Sequence, residues 1–244
     1  MSPRLDSELV RRGLARSRTA AQAAVSAGRA LVNGHPATKS SQPVGDADRL
    51  ELSAADPWVS RAAHKLIGAL DDSGTAVPGR VLDAGASTGG FSQVCLSRGA
   101  ARVYAVDVGH GQLAAEVRSD PRVVVWERTN LRGLDIGHVE GTPVDLVVAD
   151  VSFISLRLLL AALLGVLAPD GVALLLVKPQ FEVGRGGLDG DGVVRDQRRR
   201  EQSVRDVSAA AAALGRPTVW TGPSRVPGES GNVEFFLKLG TRAG

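Results

Sequence analysis

The run Val81-Leu82-Asp83-Ala84-Gly85-Ala86-Ser87-Thr88-Gly89-Gly90-Phe91-Ser92 constrains this chain more than any other stretch. An apolar strand ends on an acid, a glycine-rich turn follows, and an apolar helix begins. Glycine has no side chain, so such a turn brings bare backbone close to a ligand. A second strand, Val103-Tyr104-Ala105-Val106-Asp107, also ends on an acid. It follows Gly85 at the spacing of roughly twenty residues at which a carboxylate holds ribose hydroxyls. The two features together predict an open α/β sheet that binds an adenosine-containing ligand.

The glycine spacing narrows the choice of ligand. Nicotinamide and flavin sites favour G-x-G-x-x-G with a pyrophosphate on the helix N-terminus. Here the order is Gly85, Gly89, Gly90 behind Asp83. A carboxylate at that mouth repels a pyrophosphate and suits the amine and sulfonium of S-adenosylmethionine. A phosphate-binding Walker loop would end in Gly-Lys-Ser/Thr, and this one does not.

The 244 residues allow one large domain, or a medium domain with a small one. The single cysteine, Cys95, excludes an internal disulfide framework and a cysteine metal cluster. His35, His64, His110 and His138 show no ligand spacing, so no metal is expected. The longest apolar run, Leu158 to Leu167, is too short for a membrane span. The charged start lacks the apolar core of a secretory signal. The expectation is a cytoplasmic protein without membrane contact. Nothing in the sequence sets an oligomeric state.

Charge is concentrated at the start. Arg4, Arg11, Arg12, Arg16, Arg18, Arg29 and Lys39 face only Asp6 and Glu8 there, an excess that favours phosphate contacts with a nucleic acid. Leu5 to Gly13 reads as a helix capped by Asp6, and Ser17 caps a second helix that Gly28 ends. Asn33-Gly34 between apolar pairs marks a hairpin, and Arg49 to Leu52 a further strand. Arg4-Leu5-Asp6, Ser17-Arg18 and the Gly28 to Gly34 hairpin resemble an S4 RNA-binding domain. The resemblance implies RNA as partner, held by the basic second helix and the hairpin.

The expected division is 1–55 for this small α+β unit, 56–62 for a linker around Pro57, and 63–244 for a second domain. Ser60 caps a helix with Leu66, Ile67 and Leu70 inward, and Lys65 lies one residue off that stripe. Trp58 either stacks on a base or anchors the linker. Strands are expected at 81–83, 103–107, 123–126, 144–150, 172–178, 218–221 and 233–239, with helices at 90–98, 112–119, 156–167 and 196–214. The early strands are continuous apolar runs, as in parallel strands buried on both faces. The last two are joined without a helix and pair as an antiparallel edge. This is the Rossmann-like seven-stranded architecture of methyltransferases.

Several strands end on charges: Asp83, Asp107, Asp150 and Lys178, with Glu234 at the start of the reversed last strand. Lys65, Asp150, Lys178 and Glu234 resemble the Lys-Asp-Lys-Glu tetrad of FtsJ-type ribose 2′-O-methyltransferases. The runs VSRAAHKL, VLDAGASTGGF, ADVSFISL, LLVKPQFEVG and GNVEFFLKL are similar to the TlyA family, which joins an S4 domain to this catalytic domain. The resemblance covers nearly the whole chain. It implies methylation of cytidine ribose 2′-oxygens in ribosomal RNA (16S, 23S or both). Lys178 would be the base if neutral, or would stabilise the oxyanion if charged. Lys65 would assist it or hold the ribose, and Asp150 and Glu234 would orient the lysines.

By the same resemblance Asp83, Gly85, Ser87, Gly89, Gly90 and Phe91 would hold the methionine part of the cofactor. Asp107 would hold its ribose, Asn130 the adenine edge, Asp150 would lie near the methyl group, and Phe153 would pack on adenine or on the target base. Arg61 joins the RNA-binding set. Arg195 and Arg198 to Arg200 either extend it or form a solvated helix turn, and the glycine-rich loop 182–190 is expected to order over RNA. The other readings are the same chemistry on another RNA, and a non-catalytic RNA-binding or haemolysin-type protein.

Overall fold

The computed structural model describes residues 3–26, 28–53, 56–184, 188–228 and 230–241. The chain divides into two compact units, Met1–Pro57 and Trp58–Gly244.

The first unit has two helices, α1 (Leu5–Arg11) and α2 (Arg18–Ser26), and three short strands, β1 (Ala30–Val32), β2 (His35–Pro36) and β3 (Leu50–Leu52). The antiparallel order is β2-β1-β3. Asn33 and Gly34, at φ 52° and 82°, form the two-residue turn, which requires positive φ at both positions. Leu5, Leu9, Ala21, Val25, Val44 and Leu50 close a small core. Ser17 accepts from the Ala20 N–H at 3.1 Å, as a cap should. Asp6 does not cap α1. Arg4 holds the cap position without a side-chain bond, and Asp6 is buried inside the helix among cations.

The second unit is one seven-stranded sheet. Its elements are α3 (Ala62–Ser73), β4 (Arg80–Ala84), α4 (Gly90–Ser97), β5 (Arg102–Val106), α5 (Ala115–Arg118), β6 (Val123–Trp126), β7 (Val144–Ala149), α6 (Leu160–Gly165), β8 (Leu167–Val177), α7 (Pro179–Glu182), α8 (Gln197–Ala213), β9 (Thr218–Pro223) and β10 (Phe235–Leu239). The order is β6-β5-β4-β7-β8-β10-β9. The first five run parallel, and β10 inserts antiparallel between β8 and β9. Strand order reverses between β4 and β7, and ligands of such sheets bind in the crevice outside those strand ends.

Alternate residues of each strand feed two cores. Leu82, Tyr104, Val147 and Leu175 meet Leu160, Leu163 and Val207 on one face. Val81, Val103, Leu146 and Leu174 meet Leu66, Leu70, Val94 and Cys95 on the other. Trp58, partly buried, packs against the second core.

Three local readings need correction. The helix expected over 112–119 is only α5, because Ala114 is extended. The helix expected over 156–167 is a 3-10 turn, Leu156–Leu158, and then α6. It stops early because Leu167 already pairs with Val144, which makes β8 longer than expected; the register then shifts past Pro169. Ser60 does not cap α3 with its side chain, since Arg61 is the cap residue. The Ser60 hydroxyl instead fills the space a Cβ on Gly90 would need, and it has no hydrogen-bond partner among the described residues.

Candidate functional site

The glycine turn is shaped by its neighbours. Gly85 has φ 84°, and a Cβ there would lie 2.6 Å from the Asp150 carbonyl oxygen. Its N–H donates to Val106 O at 2.9 Å, while the Asp150 N–H donates to Ala84 O at 3.0 Å. The turn is thereby fixed between β5 and the end of β7. Gly89, at φ 97°, is the cap of α4, and Leu113 and Val117 leave no room for a side chain there. Ser87 also takes a positive φ, 45°, as its N–H donates to Asp107 Oδ2 at 2.8 Å. Asp107 Oδ1 accepts from the Gly109 N–H at 2.6 Å. A cavity of about 540 Å³ runs past Gly85, Ser87, Asp107, Asn130 and Phe153.

Asp83 and Phe91 sit behind this surface. Phe91 is buried against Phe236, with ring centroids 6.3 Å apart, and also reaches the wall of the adjoining cavity. Asp83 is fully buried and lines neither cavity. Its Oδ2 accepts from Ser92 Oγ at 2.7 Å, and its Oδ1 has no partner among the described residues. Burial, with Asp150 and Asp107 nearby, pushes its carboxyl up to about 7.

The four charged residues named from the sequence come from four elements and converge. Lys65 rises from α3, Asp150 follows β7, Lys178 follows β8, and Glu234 precedes β10. Because β10 runs against β8, pairing Phe235 with Val177, its start lies at the same end of the sheet as the β8 terminus. Two ion pairs result. Lys65 Nζ lies 2.6 Å from Glu234 Oε2, with both side chains buried, and Lys178 Nζ lies 2.6 Å from Asp150 Oδ1. Burying such charges is tolerable only because they pair. Lys65, off the apolar stripe, therefore turns into the site and not to water. All four line a cavity of about 720 Å³ that shares Gly85, Ser87 and Phe153 with the first. A third cavity, of about 320 Å³ beside Asp145 and Asp170, holds none of these residues.

Other site residues were not singled out from the sequence. Lys178 donates to Ser152 Oγ at 2.8 Å. Gln180 donates to Glu234 Oε1 at 3.3 Å. A Cβ on Gly228 would meet the same oxygen at 2.6 Å, so a glycine there leaves room for the carboxylate. Glu182, buried, accepts from Ser155 Oγ at 2.5 Å and from the Leu156 N–H at 2.7 Å. It thus pins α7 to the segment after Asp150. Asn232 ties Val194 and Gly192 to the approach to β10. Gln180 and Glu182 lie in the same short run as Lys178, so that run carried a signal beyond its lysine. Phe153 is 92 % exposed, at φ 63°, tilted against Phe181 at 5.3 Å. It is no core aromatic.

The basic residues separate into kinds. Arg12 donates to Glu8 and to the carbonyls of Gly45, Asp46 and Asp48, a structural clamp. Arg4 and Arg18 pair with Asp6, and Arg11 with Glu8 and Asp46. Arg16, Arg29 and Lys39 make no side-chain bond among the described residues. Arg61 donates to the Pro227 carbonyl. Arg195 does not form a free phosphate track, because Asp189 and Asp191 hold it. Of the loop expected to order over RNA, 185–187 lie outside the described residues. The guanidinium of Arg4 beside Asp6 holds that carboxyl far below its usual range, and Arg11 with Arg12 lowers Glu8 to about 2. Among the described residues no cluster of His, Cys, Asp and Glu could hold a metal, and no helix is long and apolar enough to cross a membrane.

The FtsJ-like methyltransferase family profile matches residues 58–241, and the S4 domain profile residues 3–50. The 16S/23S rRNA (cytidine-2′-O)-methyltransferase TlyA of Mycobacterium tuberculosis is 53 % identical over 242 residues, 98 % of this chain and 90 % of the relative. Hemolysin A of Brachyspira hyodysenteriae is 35 % identical over 96 % of this chain and 98 % of its own length. A solved structure of a hemolysin candidate from Streptococcus thermophilus is 36 % identical, with a TM-score of 0.77, covering 99 % of this chain and 89 % of that one.

Proposed function

Because this chain belongs to the FtsJ-like methyltransferase family, we propose that it methylates the ribose 2′-oxygen of cytidine in ribosomal RNA, 16S, 23S or both, using S-adenosylmethionine. The observation that carries the reading is the meeting of Lys65, Asp150, Lys178 and Glu234 in one cavity beside the glycine turn. In this reading residues 1–55 bind RNA, 56–62 link, and 63–244 catalyse, in the cytoplasm where ribosomes are found.

The residues present fit the cofactor. The turn lines the cavity with Gly85 and Ser87, and Asp107 on the same wall offers a carboxylate to a ribose. S-Adenosylmethionine, when bound, supplies an electrophilic methyl group on a cationic sulfur. The backbone from Gly85 to Gly90 would hold its methionine part, with Asp83 behind the turn as a buried acid. Asp107 would exchange its Ser87 and Gly109 bonds in part for ribose hydroxyls. Asn130 and Phe153 would border the adenine.

The target 2′-hydroxyl would sit against Lys178 Nζ. Its oxygen forms the new O–C bond as the S–C bond breaks, and its proton has to leave. Lys178, after giving a proton to solvent, takes up that proton, and Asp150 at 2.6 Å offsets the ammonium that results. A positioned base of this kind contributes about 10² to 10⁴ in rate. Glu234 holds Lys65, whose charge would face the ribose or its phosphate. Arg16, Arg29 and Lys39, with the outward faces of Arg4, Arg11 and Arg18, would supply phosphate contacts.

Tritiated S-adenosylmethionine with isolated ribosomal subunits tests the proposal. Label mapped to a cytidine ribose is expected. Label on a base, or on neither subunit, overturns it, and label on a different RNA would move the activity there.

A further inference from the structure

Gln180 holds the second position of α7, two residues past Lys178, and lines the cavity of the four charged residues. Its Nε2 donates to Glu234 Oε1. A carboxylate only accepts, so the amide nitrogen has to face it; the flipped amide would set two acceptors together. That leaves Oε1 buried and without a hydrogen-bond partner among the described residues. A buried carbonyl left unmatched is costly. The ammonium groups of the same cavity bond elsewhere, Lys65 to Glu234 and Lys178 to Asp150 and Ser152, and neither reaches this oxygen. Glu182 pins α7 from behind, so the amide is preorganised. The donor that Gln180 lacks belongs to whatever enters the cavity.

We propose that Gln180 Oε1 accepts a hydrogen bond from the exocyclic amino group of the target cytosine, which makes Gln180 a specificity determinant. The proposal rests on the function proposed above. A cytidine inside an RNA strand carries two kinds of donor, its 2′-hydroxyl and its N4 amino group. The hydroxyl proton departs during the reaction, and an amide oxygen is too weak a base to take it. The amino group stays a donor throughout. Uracil would present a carbonyl oxygen at that place, acceptor against acceptor. A site built to bond a polar group rejects an analogue that lacks it, because its own buried atom is left unpaired.

Single-turnover methylation tests this with one RNA carrying cytidine, uridine or zebularine (cytidine without its amino group) at the target position. The unaltered enzyme is expected to lose about tenfold or more on zebularine and more on uridine. Gln180→Ala and the volume-preserving Gln180→Met should slow on cytidine by a similar factor and treat cytidine and zebularine alike within about threefold. Their S-adenosylmethionine affinity and melting temperature should not change. An undiminished zebularine penalty in both variants, or equal rates of the unaltered enzyme on all three RNAs, overturns the role of Gln180. Methylation of the cytidine RNA by the unaltered enzyme reports on the function itself, so the two failures are distinct.

Discussion

The N-terminal unit gives both of its buried carboxylates, Asp6 and Glu8, cationic partners, whereas the catalytic unit does so for Glu234 and not for Asp83. Asp6 and Glu8 are sealed from solvent, yet each is ringed by guanidinium groups, and their carboxyls are pulled down. Asp83 is sealed as completely, with Ser92, through its hydroxyl and its backbone, in place of a cation, and its carboxyl is pushed up. Pairing wins in the first case and desolvation in the second. The small unit uses its charges to hold a marginal core together. The large unit, with an ample apolar core, leaves polar atoms such as Ser60 Oγ and Gln180 Oε1 unmatched at its cavity among the described residues. Unmatched atoms next to a cavity are where a ligand gains affinity.

If that contrast holds, charge removal in the large unit should cost activity before stability. Lys178→Ala should lower methyl transfer by at least about a hundredfold while S-adenosylmethionine binding is largely kept. Full activity in that variant would break the contrast at its strongest point. Gly85→Ala comes next. Its Cβ meets the Asp150 carbonyl oxygen at 2.6 Å on a backbone at φ 84°, and calorimetry should show S-adenosylmethionine binding weakened about tenfold. Unchanged binding would mean that the turn does not cradle the cofactor.

The third comparison is with pH. Asp83 has a folded value near 7 against an ordinary 3.8, so its contribution to stability is complete below 3.8 and is lost as pH rises through about 7. Glu8, at about 2 against 4.5, contributes above 4.5 and loses that contribution as pH falls through about 2. Acid should therefore loosen the N-terminal unit first, and approach to neutrality should weaken the catalytic unit. Denaturant midpoints for the unaltered protein and Asp83→Asn, measured across acid to neutral pH, read this directly. An identical slope in Asp83→Asn would refute the assignment. The smallest effect separates two arginines. Arg16→Ala should reduce the salt dependence of RNA binding by about one phosphate contact. Arg12→Ala should leave that slope alone and destabilise residues 1–57, because its guanidinium clamps the loop carbonyls of Gly45 and Asp48.

The strands of the large sheet were legible because their signal is local. Leu146 to Ala149 and Val103 to Val106 are unbroken apolar runs, as strands covered on both faces require. The early start of β8 was hidden, since Leu167 is drawn into the sheet by Val144 and not by its own neighbours. The arginine excess near the N-terminus was plain as composition. Its division into clamps and free cations was not, because Asp6 reaches Arg18 and Gln22 only after α1 packs on α2. Gln180 was passed over for a related reason. An amide two residues beyond a lysine has no meaning until Glu234 lies beside it.

Read alone, the residues establish a glycine turn led by an acid, a hairpin turned by Asn33-Gly34, and the residue types of the tetrad. These depend on backbone preferences and short-range patterns, which sequence carries directly. Tertiary structure alone decides that Lys65 pairs with Glu234, 169 residues away, and Lys178 with Asp150. That outcome depends on β10 entering the sheet antiparallel next to β8, so that four chain segments end at one crevice. Partners so far apart in the chain are chosen by which faces pack and which way strands run, and no local pattern encodes that choice.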